Sequence, residues 1–197
     1  TGLELGPRGH IVVDEKLRTS DPDIFAVGDV IEVIDPVFKG KVAIPLAGPA
    51  NRQARIAADN ICGGNSTYKG SLGTSIIKVN ELTAANVGYS ERLLKSKGVQ
   101  YEKIYLHPRS HASYYPGGTS LHIKVLFSKE GKIFGAKIVG TKGVDKRIDA
   151  LAIAMLQGMD IRELAALELA YAPPYSSAKD PVNFVGMIAE NILSGLS

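Results

Sequence analysis

A single cysteine, Cys62, stands in the 197-residue chain. No internal disulfide framework can form from it, and a reducing, cytoplasmic compartment is the expectation. No apolar run approaches the roughly 18 residues of a membrane span, so no span is expected. The opening TGLELG has neither a basic region nor an apolar stretch, so no signal peptide is expected; its lack of methionine points to a cut or processed chain. Charge of one sign is missing too. The 23 basic and 20 acidic residues leave a net charge of +3, with the lysines scattered, which argues against a nucleic-acid partner. Absent as well is a glycine-rich G-x-G-x-x-G turn after a strand, the usual cradle for a dinucleotide pyrophosphate. What is present, 45% hydrophobic residues, suffices for one large domain or two small ones.

The pattern divides the chain at a turn-rich linker, GGNSTYKG, residues 63–70. Before it, residues 1–64 hold two short strand-like runs, 11–14 and 24–27, and a loop at 35–40. A helix over 47–61 follows, its face expected at Ala50, Ala54, Ala57, Ala58 and Ile61. Two short strands and one helix bury little surface alone, so this piece reads as the tail of a larger domain. After the linker, residues 71–197 are self-contained. Strands are expected at 76–79, 99–105, 121–127 and 132–139, the last two joined by the hairpin connection SKEGK. Ser90 caps a short helix closed by Gly98. Ile148, Leu151, Ala152 and Met155 form one apolar stripe on a helix. Asp160 with Glu163 imitates a capping box, and Asp180-Pro181 starts a helix that runs to about Leu193. Locally paired strands with helices on one face make an α+β fold with an antiparallel sheet.

Two long motifs carry a resemblance that covers nearly the whole chain. LRTSDPDIFAVGDV followed by PLAGPANRQARIAADNI resembles the final flavin-binding segment of the FAD-dependent pyridine nucleotide–disulfide oxidoreductases. KGVDKRIDALAIAM with ELAYAPPYSSAKDPVNFVGMIAENIL resembles their dimerisation domain, most closely in the coenzyme A-disulfide reductase, NADH oxidase and peroxidase branch. The resemblance implies the C-terminal part of a homodimeric enzyme: a fragment of an α/β FAD-binding domain, then the dimerisation domain. It implies FAD as cofactor, NAD(P)H as co-substrate, and coenzyme A disulfide or a related per- or polysulfide as substrate. Oxygen or peroxide reduction is the alternative, and so is a dimerisation module with no catalysis of its own. The chain alone is expected to be inactive.

Site residues follow from both lines of reasoning. Gly28-Asp29 ends an apolar run, and an aspartate at the end of a strand in such folds accepts hydrogen bonds from cofactor hydroxyls. By resemblance these belong to the FAD ribityl chain; the alternative is a turn aspartate capping local backbone. The helix N-terminus at Ala47 presents amides and partial positive charge suited to an electron-rich flavin edge, with Leu46, Ala47 and Ala50 offering little bulk. Ordinary helix packing is the other reading of those three. By resemblance, tyrosines of the dimerisation domain reach the partner's active site; Tyr171, Tyr175 and one of Tyr114 or Tyr115 match, with packing over the sheet the other reading of Tyr114 and Tyr115. The resemblance further implies, from the phenylalanine often found at this place in the oxidase branch, that Tyr175 in APPY favours disulfide substrates.

Other signals read as structural. The family's redox cysteine has no counterpart, and Cys62 sits at a helix C-terminus, the wrong end of the dipole to activate a thiolate. His107 and His111 are four apart but lie in a proline-bearing loop without a carboxylate or cysteine cluster, so no metal site is expected. Lys142, Lys146 and Arg147 allow phosphate recognition, but the commoner meaning of such a charge run is a solvated helix start.

Overall fold

Local hydrogen-bonding chemistry sets the elements of the first of two units into which the chain divides after Gly73. The structure is a computed structural model and describes residues 2–196. Ile11 pairs as a single bridge with Leu5 and, in parallel, with Ile31, while Arg18 bridges Phe25. The runs expected as strands are thus single bridges. A turn closed by Ile24 N–H on the Asp21 carbonyl precedes the second run, and a 3-10 turn, Gly28–Val30, ends it. A two-residue hairpin, β1 (Val33–Ile34) with β2 (Lys41–Val42), encloses the loop expected at 35–40.

Helix α1 spans Ala47–Ile61. Its buried side chains are Pro49, Gln53, Ala57 and Asn60, whereas Ala54, Ala58 and Ile61 face solvent. The expected small-residue face is therefore rotated, because two polar side chains find specific partners. Gln53 Oε1 accepts from Gly28 N–H at 2.7 Å, and Asn60 Nδ2 donates to the carbonyls of Lys16 and Ser66 at 3.0 and 2.8 Å. A buried amide with its bonds made is as compatible with a core as an alanine. Leu17, Ala26, Ile31, Val33 and Ala57 form that core. Tyr68 of the turn-rich stretch and Ser71 just after it also bond here, the Tyr68 N–H donating to the Glu15 carbonyl and the Ser71 N–H to that of Ile34.

The second unit is a five-stranded antiparallel sheet. Its strands are β3 (Ser75–Val79), β4 (Leu82–Gly88), β5 (Glu102–Leu106), β6 (Leu121–Phe127) and β7 (Ile133–Gly140), in the order β3-β4-β7-β6-β5. Strand β4 has no counterpart among the expected strands. Helices α3 (Val144–Leu156) and α4 (Pro181–Leu193) carry the apolar stripes that cover the face of Ile123, Val125 and Ile138. Between them a 3-10 helix, Ile161–Ala166, starts at Asp160 with both halves of the capping box formed. Gly186 lets α4 approach it closely, since a Cβ there would meet the Ala165 nitrogen at 2.2 Å. Short α2 (Glu91–Ser96), capped by Ser90, begins at Glu91, which pairs with Lys124 on the opposite sheet face. Among the described residues no helix is long and apolar enough to cross a membrane.

Candidate functional site

Two places gather the residues singled out from the sequence, one in each unit. In the first unit, Gly28 adopts φ +78°, and its N–H is held by Gln53 of α1. A Cβ on Gly28 would lie 3.7 Å from Ala50 Cβ, so this turn packs against the first turns of α1. Asp29, next along, is exposed and is not engaged in any internal hydrogen bond or ion pair among the described residues. It does not cap its own turn. At the start of α1, Leu46 provides no side-chain cap and Pro49 has no N–H, so the amides of Ala47 and Gly48 face out without a side-chain partner. Gly28 and Ala50 thus meet directly, and the exposed Asp29 belongs to the turn that packs on the first turns of the 15-residue helix that Leu46 and Ala47 begin.

In the second unit, the loop after β5 and the segment before α4 meet. The hydroxyls of Tyr114 and Tyr171 are 3.1 Å apart. Tyr115 and Tyr175 sit on the same two segments, with Tyr175 the more exposed, and the structure gives the Tyr175 hydroxyl no internal partner among the described residues. Sharing one hydrogen bond with Tyr114, aided by partial desolvation, raises the pKa of the Tyr171 phenol above its ordinary value.

Beneath the tyrosines lies a polar centre that sequence reasoning missed. Arg147 is fully buried, not part of a solvated helix start. Its Nε and Nη2 donate to the two Asp180 carboxylate oxygens at 3.2 and 3.0 Å. Nη1 donates to the Gly143 carbonyl and Nη2 to the Ser110 carbonyl, both at 2.9 Å. Asp180 also accepts from the Ser176 hydroxyl at 2.6 Å and, as the N-cap of α4, from Val182 N–H at 3.0 Å. Burial pushes its carboxyl up, but the bonds from Ser176 and Val182 and the Arg147 charge outweigh it and hold the pKa below the usual carboxylate value. Ala112 N–H donates to the Ser176 carbonyl at 2.9 Å, joining the two segments directly. His111, also buried, sends Nε2–H to the Tyr115 and Pro116 carbonyls at 3.3 and 3.2 Å and shapes the loop tip. Because both partners are acceptors, that nitrogen carries the proton. The legible signal was register: position 147 falls three after Val144 and four before Leu151, on the buried stripe of α3.

Lys146 and Lys142 bond the carbonyls of Ala170 and Gly117 at 3.3 and 3.2 Å, so they brace the same two segments. His107 faces His122, Nδ1 to Nδ1 at 2.8 Å, and shares no hydrogen bond with His111 among the described residues. Among the described residues no group of three or more His, Cys, Asp or Glu side chains is placed to hold a metal. Cys62 is exposed at the end of α1.

Comparison with known proteins matches residues 74–181 to the dimerisation domain of the pyridine nucleotide-disulphide oxidoreductases, and residues 1–54 to the pyridine nucleotide-disulphide oxidoreductase family itself. The chain belongs to the pyridine nucleotide-disulphide oxidoreductases. Coenzyme A disulfide reductase of Staphylococcus haemolyticus is 39% identical over 194 residues, which make up 98% of this chain and 44% of that protein. The reduced CoADR-RHD of Bacillus anthracis superposes with a TM-score of 0.95 at 53% identity, covering 98% of this chain and 35% of its own. A NAD-dependent persulfide reductase from A. fulgidus superposes with a TM-score of 0.95 at 41% identity, covering 99% of this chain and 37% of its own. The chain therefore spans less than half the length of these relatives. Its α+β unit with an antiparallel sheet is the dimerisation-domain fold of the family.

Proposed function

We propose that this chain is the C-terminal part of an FAD-dependent NAD(P)H:disulfide reductase acting on coenzyme A disulfide or a related per- or polysulfide. In this reading residues 1–64 close the FAD-binding domain and residues 71–197 form the dimerisation domain, which presents its tyrosines to the partner's active site in a homodimer. The exposed, unpaired Cys62 suits a reducing cytoplasm.

The residues fit the cofactor. Asp29, which bonds to no other side chain or backbone group among the described residues, is free to accept from the flavin's hydroxyls, and the amides at Ala47 and Gly48, without a side-chain partner, suit an electron-rich ring edge. When bound, FAD carries the two electrons of a hydride from NAD(P)H toward the disulfide. In the net reaction the S–S bond breaks and two thiols form, so a thiolate must leave and be stabilised.

The observation that carries the reading is the Tyr114–Tyr171 pair, two exposed phenols with hydroxyls 3.1 Å apart. Of two hydroxyls sharing one proton between them, the other proton remains free to donate outward. A donor aimed at developing negative charge on sulfur lowers the barrier to expelling it. Two-electron reduction of oxygen expels no leaving group, so the pair favours a disulfide over oxygen as the substrate. The test is stopped-flow kinetics on the full-length dimer with Tyr171→Phe, timing flavin reduction by NAD(P)H and flavin reoxidation by coenzyme A disulfide separately. Reoxidation slowed about tenfold, with flavin reduction unchanged, is expected from one lost donor. Wild-type reoxidation in the Tyr114→Phe/Tyr171→Phe double variant would refute the role.

A further inference from the structure

We propose that Arg147 and Asp180 are positioning residues that set where the Tyr114 and Tyr171 hydroxyls stand, by clamping the two segments that carry them. The proposal rests on the reading of these tyrosines as donors at a disulfide site. Tyr114 follows Ser110 by four residues, and the Ser110 carbonyl is held by Arg147 Nη2 at 2.9 Å. Tyr171 precedes Ser176 by five, and the Ser176 hydroxyl is held by Asp180 at 2.6 Å. The ion pair joins these holds, Nη2 to Oδ2 at 3.0 Å and Nε to Oδ1 at 3.2 Å. Ala112 N–H on the Ser176 carbonyl closes the frame between the segments.

Geometry and burial make this a fixed device. Arg147 is 0% and Asp180 2% exposed, so both are shielded from exchange with water. A guanidinium offers five donors in one rigid plane, and here that plane reaches Asp180, the Ser110 carbonyl and the Gly143 carbonyl together. A lysine ammonium has no such fork. The tyrosines themselves are at the surface, Tyr114 73% and Tyr171 47% exposed, and their rings have little packing to place them. Their position comes from the backbone beneath, and a donor displaced by about an ångström loses much of its effect on a reacting atom.

The decisive experiment is a double-mutant cycle in the full-length, FAD-loaded dimer. Arg147→Lys and Asp180→Asn are each made alone and combined with Tyr114→Phe/Tyr171→Phe, and both half-reactions are timed. With the hydroxyls present, each clamp change slows flavin reoxidation by coenzyme A disulfide about tenfold, while flavin reduction by NAD(P)H keeps its rate. Without the hydroxyls, the same change costs nothing further. A purely structural role instead slows both half-reactions, or slows reoxidation by the same factor in both backgrounds, and either result overturns the clamp while the tyrosine role stands. Wild-type reoxidation in the tyrosine double variant overturns both. Should Arg147→Lys not fold, Ser176→Ala removes a single hydroxyl from the frame and leaves the ion pair; its slowing must also vanish when the phenol hydroxyls are gone, and wild-type reoxidation in Ser176→Ala counts against the clamp.

Discussion

Gly143 has no room for a side chain because the Arg147 guanidinium fills it: a Cβ there would stand 2.2 Å from Nη1. Gly143 also has φ +71°, a conformation that side chains disfavour, and it precedes the first residue of α3. Gly143→Ala therefore combines backbone strain with displacement of a buried charge. Chemical denaturation should show a loss of about 1–3 kcal/mol, the usual scale for such strain. An unchanged midpoint would mean that the guanidinium shifts at no cost and that the ion-pair geometry is loose.

Acid stability should depend on Asp180. Its folded pKa lies below the unfolded value of about 3.9, since hydrogen bonds and the Arg147 charge outweigh the opposing effect of burial. The stabilisation is thus fully present above the unfolded pKa and is lost as pH falls through the lower, folded one. Asp180→Asn, which keeps the N-cap but not the charge, should flatten the acid limb of stability between those values. Asp180→Ala leaves Arg147 buried and unpaired, which costs about 3–5 kcal/mol at neutral pH. Thermal unfolding of both variants across the acid range checks this, and parallel acid limbs in wild type and Asp180→Asn would contradict it.

What could be read from the sequence was what local chemistry decides. Asp180-Pro181 and the Asp160/Glu163 box announce their helices through bonds made within four residues, and α1 runs from Ala47 to Ile61 as its composition says. Strand β4 escaped because LTAANVG is poor in β-branched residues; it is a strand through pairing with β3 and β7 on either side. The expected strand at 24–27 failed for the converse reason, an apolar run with a single bridge to pair with. The site was half legible. Tyrosines and Asp29 stood out by type, yet the meeting of Tyr114 with Tyr171 joins loops 57 positions apart and leaves no local trace. Arg147 was hidden because charge suggests solvent, and only its place on the stripe of α3 argued otherwise.

Asp29→Ala in the full-length enzyme should loosen FAD without weakening the fold. The exposed carboxylate is not engaged inside the protein among the described residues, so nothing internal is lost. A hydrogen bond to a charged acceptor contributes about 1.5–3 kcal/mol, so flavin dissociation should speed up by tenfold or more. Flavin release measured by fluorescence, beside a melting curve of the apoprotein, separates the two effects. Equal release rates would mean that Asp29 does not touch the cofactor.

Residues 74–197 alone should form a two-fold dimer. Ile153 and Leu156 of α3 are 63% and 57% exposed, and Phe184 of α4 is 38% exposed, apolar surface that the unit does not cover itself. Light scattering at tens of micromolar should report twice the chain mass, a range set by ordinary interface affinities. Ile153→Lys places a charge in that surface and should shift the sample toward monomer. A monomer in the unaltered segment would show that other parts of the enzyme hold the dimer together.

The shared proton of Tyr114 and Tyr171 should be visible by titration. The hydrogen bond to Tyr114 comes first among the causes that raise the Tyr171 pKa, followed by partial desolvation and the repulsion of a second phenolate. Tyr114→Phe keeps the ring and removes all but the desolvation, so Tyr171 should titrate lower, nearer the ordinary value of about 10. Phenolate absorbance against pH gives the curve, and subtracting that of Tyr114→Phe/Tyr171→Phe isolates Tyr171 from the other tyrosines. The direction has a kinetic counterpart. A phenol donates only while protonated, so a raised pKa extends the range over which Tyr171 can stabilise a leaving thiolate. In Tyr114→Phe the alkaline fall of disulfide reduction should therefore begin at lower pH, in step with the shifted titration. If the titration moves and the rate profile does not, the two hydroxyls are bonded to each other but take no part in the chemistry.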